Sequence, residues 1–450
     1  MPRTACMSAS KTPTYNGKMA IRAVLTNFGT VGDLQPFLAL AVEMRRQGHL
    51  PVLAFSPYFR SRVEELGFDF VSIGPDLRTS QNEANVAMRE MPDSDDRMRE
   101  ILGPLTAALP QAFSELSRAC LNADVLVSGP AQPAARMVHE ASGIPFVSLQ
   151  FSHFGGIGTP ALQKASAALI NPFRAQLGLA PLRDPLTIDA NSPQLAIYAM
   201  SRYVRRPQAD WPSHYHMTGY FFFDDERWEP EPELVDFIKN GDRPVVISFG
   251  SMTHEDPARL TDLLLEAVGL AGCRAVIQQG WSGLGKLKAP ERVLTVGHVP
   301  HHWLFSRAKC IVHHGGGGTA GAVFRSGVPS VFVPHSYLHD QAYWAELAHE
   351  LGCASKPIPI FALTAERLAA AIKSIIESKD YYQRAGALAK RVQSEPGVRL
   401  AWRLIEQLLQ QIGRPHLDQD SCASAESLKE REFRSALRKQ FQRDRRSSKK

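Results

Sequence analysis

The chain has 450 residues, more than one domain usually holds, so two core-forming domains are expected. Its hydrophobic share of 44% and charged share of 21% are typical of a soluble globular protein, and no apolar run is long enough to span a bilayer. Much of the net charge of +6 sits in residues 416–450, so it is weak evidence for nucleic-acid binding by the folded part.

The cysteines and the amino terminus indicate the compartment. The six cysteines are scattered and form no C-x-x-C pair, which argues against a disulfide framework and against a zinc site. Residues 1–18 lack the continuous apolar stretch of a secretory signal and are interpreted as a flexible extension. We therefore expect a protein of the reducing cytoplasm.

The first half of the chain alternates strands and helices. An apolar run at 20–29 predicts a strand, 34–49 has apolar residues at helical spacing, and 50–55 is the next strand. A strand–helix–strand unit with short connections implies a parallel sheet, so residues 19–220 are assigned to a Rossmann-like domain. Further strands are predicted at 124–129, 144–150 and 194–200, with long loops or helical insertions at 75–120 and 151–193.

A segment at 221–243 that mixes Pro, acidic residues and Gly is interpreted as a linker. A second Rossmann-like domain is predicted over 244–415, which makes the expected fold class α/β with two doubly wound halves. Its strands are predicted at 243–250, 273–280, 292–297, 310–315 and 328–334, and its last helices at 363–378 and 399–412. The basic remainder, 416–450, is expected to be disordered; the alternative is a helix on a membrane surface.

The segment 310–327 carries the strongest chemical signal. A strand ends in His313 and His314, four glycines follow, and a helix begins near Thr319. Glycines let the backbone approach a ligand, and a helix N-terminus offers unpaired N–H groups and a positive dipole end. We therefore predict a phosphate site here; the alternative is a glycine-rich turn that only packs closely.

The same glycines satisfy a second pattern. Gly316, Gly318 and Gly321 match the G-x-G-x-x-G dinucleotide fingerprint, and Asp340 follows about twenty residues later. A dinucleotide-binding oxidoreductase, or a non-catalytic nucleotide-binding module, is therefore an alternative. Two features argue against a dinucleotide: the fingerprint asks for no histidines at the strand end, and Asp340 lies beyond the strand at 328–334, not at its tip.

Several motifs resemble those of family 1 glycosyltransferases, especially the sterol, glycolipid and natural-product branch. HHGGGGT, SGVPSVFVP and HDQAYWA within 313–345 are similar to its donor-binding signature, and VGHVPHHWLF at 296–305 is similar to its base-recognition loop. ISFGSM at 247–252 and the glycine loop and helix at 29–49 resemble further family segments. The resemblance implies a GT-B fold with an acceptor domain, a donor domain and an inverting reaction.

The resemblance also implies how the glycine segment would hold the donor. His313 would contact the diphosphate, while the backbone of Gly318 and Thr319, with the Thr319 hydroxyl, would hold the α-phosphate. Gly315 and Gly316 would belong to the same donor-binding loop. Fixed dipoles and a histidine can stabilise a leaving diphosphate without a metal.

The remaining donor contacts are implied in the same way. Ser251 would lie near the β-phosphate, and the loop around His298 and Val299 would pack on the base and hydrogen-bond it. Asp340 and Gln341 would bind the sugar hydroxyls.

Metal-dependent glycosyltransferases use a D-x-D site instead. Residues 93–95 match that string, but they follow no apolar strand and lie in a polar stretch. The aspartate pair at 224–225 is interpreted in the same way, so no metal site is expected.

The general base is expected in the first domain. Many relatives carry a histidine at the position of Asp33, whereas the sterol and glycopeptide branches carry an aspartate there, as this chain does. A carboxylate at this position can take the acceptor proton. The alternative is that Asp33 only caps the following helix, with Pro36 in an early turn; both roles can hold at once. His153 is a candidate for the acceptor pocket, and a loop histidine without that role is the alternative.

The donor base and the acceptor are less well defined. Plant UDP-specific relatives carry a glutamate shortly after the glycine segment, where this chain has Ala320, Gly321 and Ala322. Sterol-type relatives use UDP-sugars without that glutamate, so UDP-glucose is favoured and a dTDP-deoxysugar such as a rhamnosyl donor is the alternative. The expected partners are a nucleotide sugar and a small hydrophobic acceptor, such as a sterol, glycolipid or polyketide, with peripheral membrane contact only through the basic tail.

Overall fold

The computed structural model describes residues 14–15, 18–76, 99, 102–103, 106–130, 132–151, 160–254, 256–281, 284, 290–335 and 340–413. His153, the string at 93–95 and the basic tail at 416–450 lie outside the described residues. None of the helices in these ranges is long and apolar enough to cross a membrane.

The first sheet is parallel and has the spatial order β5-β4-β3-β6-β7-β8-β9. Its strands are β3 (Arg22–Thr26), β4 (Leu50–Phe55), β5 (Asp69–Ser72), β6 (Val125–Ser128), β7 (Phe146–Gln150), β8 (Leu195–Tyr198) and β9 (Tyr215–Met217). A short antiparallel pair, β1 (Thr14–Tyr15) and β2 (Lys18–Met19), precedes it. The central strands are buried on both faces, which explains their continuous apolar sequences.

Helices cover both faces of this sheet. They are α1 (Val31–Arg46), α2 (Arg60–Glu65), α3 (Leu109–Ala119), α4 (Pro133–Ser142) and α5 (Pro160–Gln176), with a 3₁₀ turn at Pro57–Phe59. The core on one face combines α1 with β3, β4 and β7, and the core on the other face combines α3 and α4 with the same sheet. The predicted insertions at 75–120 and 151–193 therefore contain the helices α3 and α5.

The second sheet is also parallel and has the order β12-β11-β10-β13-β14. Its strands are β10 (Val245–Ser248), β11 (Ala275–Gln278), β12 (Val293–Val296), β13 (Cys310–His313) and β14 (Ser330–Phe332). The helices are α6 (Pro232–Lys239), α7 (Pro257–Ala271), α8 (His301–Phe305), α9 (Gly317–Ser326), α10 (Gln341–Glu350), α11 (Ala365–Glu377) and α12 (Lys379–Ser394), with a 3₁₀ turn at Ile360–Ala362. The linker predicted at 221–243 contains α6.

The last described helix, α13 (Val398–Ile412), returns to the first sheet. Trp402 and Ile405 are fully buried in the cluster that contains Phe37 and Leu38 of α1. A helix with one strongly apolar face must bury that face, and α1 offers the surface that does so. The interval 244–415, predicted as the second domain, therefore includes a helix that packs in the first; the domain boundaries remain a prediction.

The chain passes between the domains twice, and the two crossings touch. The Gly397 N–H donates to the Thr218 carbonyl at 3.0 Å. Gly219 and Gly397 both have positive φ, +98° and +52°, and a Cβ at Gly397 would lie 2.6 Å from the Tyr220 carbonyl oxygen. Glycine is needed at both positions, because a side chain would be strained and would push the crossings apart.

Two consecutive linker aspartates bind opposite domains. Asp224 accepts two hydrogen bonds from the Arg325 guanidinium at the end of α9, at 2.8 and 2.6 Å. Asp225 accepts one from Arg62 on α2 at 2.7 Å. The two aspartates therefore connect the linker to both domains through ion pairs.

Candidate active site

Both sheets reverse their strand order at one place, and the predicted site residues gather there. The order reverses between β3 and β6 in the first sheet and between β10 and β13 in the second. Ligands of open parallel sheets bind outside the carboxyl ends of the strands at such a switch point. Asp33 follows β3 in the first sheet, while Ser251 and the glycine segment follow β10 and β13 in the second.

The glycine segment forms a tight turn into α9, whose N-cap is Gly316. Gly315 has a φ of +92°, and a Cβ there would lie 3.0 Å from the Gln341 carbonyl oxygen. Gly318 and Thr319 fall in the first turn of α9, where backbone N–H groups have no partner within the helix. A glycine turn therefore leads into a helix N-terminus, as expected from the sequence, and such a terminus is suited to bind an anion.

Gly317 has a different role from its neighbours. A Cβ at this position would lie 2.9 Å from the Phe151 carbonyl oxygen of the first domain and 3.0 Å from Asp340 Oδ2. The glycine segment and the residue after β7 are thus in contact across the domain interface, which requires a residue without a side chain. The candidate residues predicted from the sequence omit Gly317, because a motif does not reveal which glycine faces the other domain.

His313 ends β13 and is completely buried, 0% exposed. Neither ring nitrogen has a hydrogen-bond partner among the residues that the structure describes, and the ring lies 4.0 Å from the Phe332 ring, centroid to centroid. Burial lowers the pKa of His313 well below its usual value, with smaller contributions from His314 and His301. A neutral imidazole with two unpaired nitrogens at the base of an anion site can donate one hydrogen bond to a phosphate oxygen.

Asp340 is the N-cap residue of α10 and is 7% exposed. Its Oδ2 accepts a hydrogen bond from the indole N–H of the fully buried Trp344 at 2.5 Å. Burial raises the pKa of Asp340 to about 7; the Trp344 bond opposes this shift and the charge of Asp33 adds to it. Asp340 of the second domain therefore lies within electrostatic range of Asp33 of the first.

Gln341 is held inside the second domain. Its Oε1 accepts a hydrogen bond from the His335 N–H at 2.7 Å, and its Nε2 donates to the Met252 sulfur at 3.1 Å. The residue is almost completely buried. Gln341 therefore links α10 to the ends of β10 and β14, and contact with a sugar hydroxyl would require part of its amide to be released.

The proposed base-recognition loop has an exposed and a buried member. His298 is exposed, and burial of part of its ring lowers its pKa. The Val299 side chain is buried in an apolar cluster with Leu304, and its carbonyl accepts a hydrogen bond from Gln278 Nε2 at 2.7 Å. The sequence analysis did not select Gln278, which holds the loop in place from the end of β11.

Ser251 is half-buried in the turn after β10. The preceding Gly250 has a φ of +59°, and a Cβ there would lie 3.0 Å from the His314 ring. The Trp281 N–H donates to the Gly250 carbonyl at 3.0 Å, and the Trp281 ring packs edge-on against Tyr58 of the first domain at 5.6 Å. Ser251 and the glycine segment therefore border the same cleft.

Asp33 is the third residue of α1, and Thr30 is the N-cap. The alternative in which Asp33 is the N-cap residue is thus corrected in position: the helix begins at Val31, three residues earlier than expected, and Asp33 caps it from the third helical position as part of a capping box with Thr30. Asp33 Oδ2 accepts hydrogen bonds from the Thr30 N–H at 2.6 Å and the Thr30 hydroxyl at 3.1 Å. Burial raises the pKa of Asp33 to about 6, against the opposing effect of these bonds.

Gly29 is the residue that makes room for this carboxylate. Its φ is +149°, and a Cβ there would lie 2.2 Å from Asp33 Oδ2.

Within the described residues, no group of three or more His, Cys, Asp or Glu side chains is placed to hold a metal ion.

Two family models match the chain, one in each half. Residues 23–154 match the N-terminal domain of glycosyltransferase family 28. Residues 262–406 match the C-terminal domain of erythromycin biosynthesis protein CIII-like proteins. The first match contains Asp33 and the second contains the whole glycine segment.

Curated relatives are similar over most of the chain. It is 29% identical over 434 residues to sterol 3-beta-glucosyltransferase UGT80B1 of Arabidopsis thaliana, a match that covers 88% of this chain and 70% of that protein. It is 28% identical over 420 residues to O-mycaminosyltylonolide 6-deoxyallosyltransferase of Streptomyces fradiae, covering 86% and 97%. The chain spans 64% and 35% of the length of two further sterol 3-beta-glucosyltransferases, from Arabidopsis thaliana and Komagataella phaffii.

Solved structures share the architecture. The calicheamicin glycosyltransferase CalG4 matches with a TM-score of 0.68 at 19% identity, over 88% of this chain and 99% of that one. Glycosyltransferase VinC in complex with dTDP matches with a TM-score of 0.65 at 21% identity, over 87% and 100%. Two Rossmann-like domains in this arrangement are the GT-B fold, so the predicted fold class is confirmed. Taken together, the two family models, the curated relatives and the architecture identify this protein as a glycosyltransferase of GT-B fold.

Proposed function

We propose that the protein transfers a hexose, glucose in the favoured case, from a UDP-sugar to a hydroxyl of a hydrophobic acceptor, with inversion and with Asp33 as the general base. The main support is the meeting of two half-sites: the carboxylate of Asp33 on the first domain and the anion site around His313 on the second. Gly317 against Phe151, and the electrostatic effect of Asp33 on Asp340, bring these halves to one cleft.

The reaction follows from this arrangement. The acceptor oxygen forms a bond to the anomeric carbon while the bond from that carbon to the β-phosphate oxygen breaks. Asp33 takes the acceptor proton, and the diphosphate leaves with the electron pair of the broken bond. The N-terminus of α9 and the buried His313 stabilise the growing negative charge of the leaving group, because donors fixed in advance need no reorganisation.

Five residues are proposed to surround the diphosphate: Ser251, Gly315, Gly316, Gly318 and Thr319. Each lies in the turn after β10 or at the entry to α9. His298 and Val299 are proposed to hold the base, and Asp340 and Gln341 the sugar. The acceptor pocket is proposed on the first domain, with His153 as a candidate.

The donor proposal has one competitor. Sterol glucosyltransferases match this chain over more than four fifths of its length, which supports a glucosyl donor and a sterol-like acceptor. The deoxyallosyltransferase relative and the VinC complex with dTDP support a dTDP-deoxysugar and a polyketide acceptor. Calorimetric titration with UDP, dTDP and NAD separates the donors: tighter binding of UDP supports the main proposal, tighter binding of dTDP supports its competitor, and binding of NAD alone contradicts both.

The base is tested by Asp33→Asn, which keeps the size of the side chain and removes its basicity. Transfer to a sterol acceptor should fall about a hundred- to ten-thousand-fold, with UDP affinity unchanged. Asp69→Asn, at an exposed carboxylate on the edge strand β5, is the matched control and should retain full turnover. Normal turnover by Asp33→Asn would remove Asp33 as the base.

The basic tail at 416–450 leaves two interpretations, a solvated segment and a contact with anionic membrane. Co-sedimentation with anionic liposomes at low salt, with and without residues 416–450, separates them. Loss of binding on deletion supports the membrane contact, and equal binding supports the solvated segment.

A further inference from the structure

Beyond the residues assigned above, we infer that Asn27 is a positioning residue for the transfer. Its side-chain amide holds the Asp33 carboxylate so that Oδ1 is the oxygen that takes the acceptor proton. This inference rests on the proposed role of Asp33 as the base.

Asn27 has the rigidity that such a role needs. It follows β3 directly, at the switch point of the first sheet, and is 2% exposed. The neighbouring chain comes so close that a Cβ at Gly129, just after β6, would lie 2.4 Å from Asn27 Cγ. The backbone of Gly129 is itself fixed, because its N–H donates to the Thr26 carbonyl at 2.9 Å. The Asn27 amide therefore has little freedom to rotate away from Asp33.

The hydrogen bonds of Asp33 show which oxygen can act. A carboxylate oxygen accepts about two hydrogen bonds, and Oδ2 receives two from Thr30. Oδ1 receives one from Asn27 Nδ2, at 3.3 Å. Among the side-chain and backbone bonds of the described residues, Oδ1 therefore accepts fewer than Oδ2, and the Asn27 bond fixes the plane of the carboxyl group.

The neutral amide also suits the charges around Asp33. Asp33, with a pKa of about 6, loses its proton before Asp340, whose pKa of about 7 is raised in part by the Asp33 charge. An amide N–H stabilises the ionised Asp33 carboxylate without adding a positive charge that would oppose its use as a base. A carboxylate at position 27 would instead repel the ionised Asp33.

Two variants separate this role from simple packing. Asn27→Ala removes the amide and leaves a small gap, and Asn27→Ala combined with Gly129→Ala places a methyl group in that gap. The double variant should unfold at nearly the wild-type temperature, and the single variant should unfold slightly below it. Both should lower kcat at neutral pH at least tenfold with the KM for the donor unchanged, and both should move the acid limb of the pH profile upward.

A direct measurement of Asp33 completes the test. The ¹³C NMR titration of the Asp33 side-chain carboxyl, assigned by comparison with Asp33→Asn, should give a pKa about one unit higher in both Asn27 variants. Wild-type turnover in the double variant, or an unmoved Asp33 titration, would overturn the inference. Full activity of Asp33→Asn would overturn the assignment of the base instead, whatever the Asn27 variants do.

Discussion

Asp340→Asn should stabilise the protein at high pH and leave its stability unchanged at low pH. The pKa of the buried Asp340 is about 7, compared with 3.8 for an unperturbed aspartate. The folded protein therefore holds this proton more tightly than the unfolded chain, so the stability linked to it is complete below pH 4 and is lost as the pH rises to 7. A shift of about three units at roughly 1.4 kcal/mol each corresponds to about 4 kcal/mol.

Asparagine is close in shape to a protonated aspartate, and its oxygen can still accept the Trp344 N–H. Urea unfolding, followed by tryptophan fluorescence at pH 4 and pH 8, should show wild type and variant equal at pH 4 and the variant more stable by about 4 kcal/mol at pH 8. Asp69→Asn should show no such pH-dependent gap. A gap of the same size at both pH values would refute the argument, since it would show that charge is not the cause.

Three further predictions follow from other contacts. Gly317→Ala should lower kcat/KM at least tenfold, measured by initial rates, because the new Cβ meets the Phe151 carbonyl at 2.9 Å and holds the domains apart; an unchanged rate would show that this contact does not matter for turnover. Trp344→Phe should raise the pKa of Asp340 further, because the charged carboxylate loses a hydrogen bond worth about 1.5–3 kcal/mol; urea unfolding should therefore show a larger stability loss at pH 8 than at pH 4, where the packing cost of the smaller buried side chain remains. Asp224→Asn should cost about 1 kcal/mol or less in urea unfolding at physiological salt, since the Arg325 pair is partly exposed.

The sequence is enough to predict the second sheet and the five inner strands of the first, because buried parallel strands are continuous apolar runs with helices between them. The edge strands β5 and β9 were not predicted, because they are short and only partly buried. The sequence also locates the glycine turn before α9, since four glycines before a helix have a recognisable pattern. The dinucleotide alternative used the same glycines and does not agree with the glycosyltransferase models that match both halves of the chain. Asp340 lies at the start of α10, beyond β14, as expected from the sequence, and not at the strand tip where a dinucleotide site would need it.

Contacts between distant segments could not be predicted. Asn27 looks like any strand-end residue until Gly129, about a hundred positions later, is found against it. The cap of α1 was misplaced because both Thr30 and Asp33 are favourable near a helix start, and only the backbone shows which comes first. The attachment of α13 to the first sheet likewise depends on where α12 ends, which no local pattern records.

The return of α13 to the first sheet has a consequence for how the protein is made. Because a helix that follows every described strand of both sheets completes the apolar cluster around Phe37 and Leu38, that cluster remains open to water until residues 398–412 have left the ribosome. The second domain, by contrast, contains all of its own strands and can form first. A fragment that ends before residue 398 would therefore carry a finished second domain and a first domain with an uncovered apolar stripe, and it would be the form most prone to aggregate.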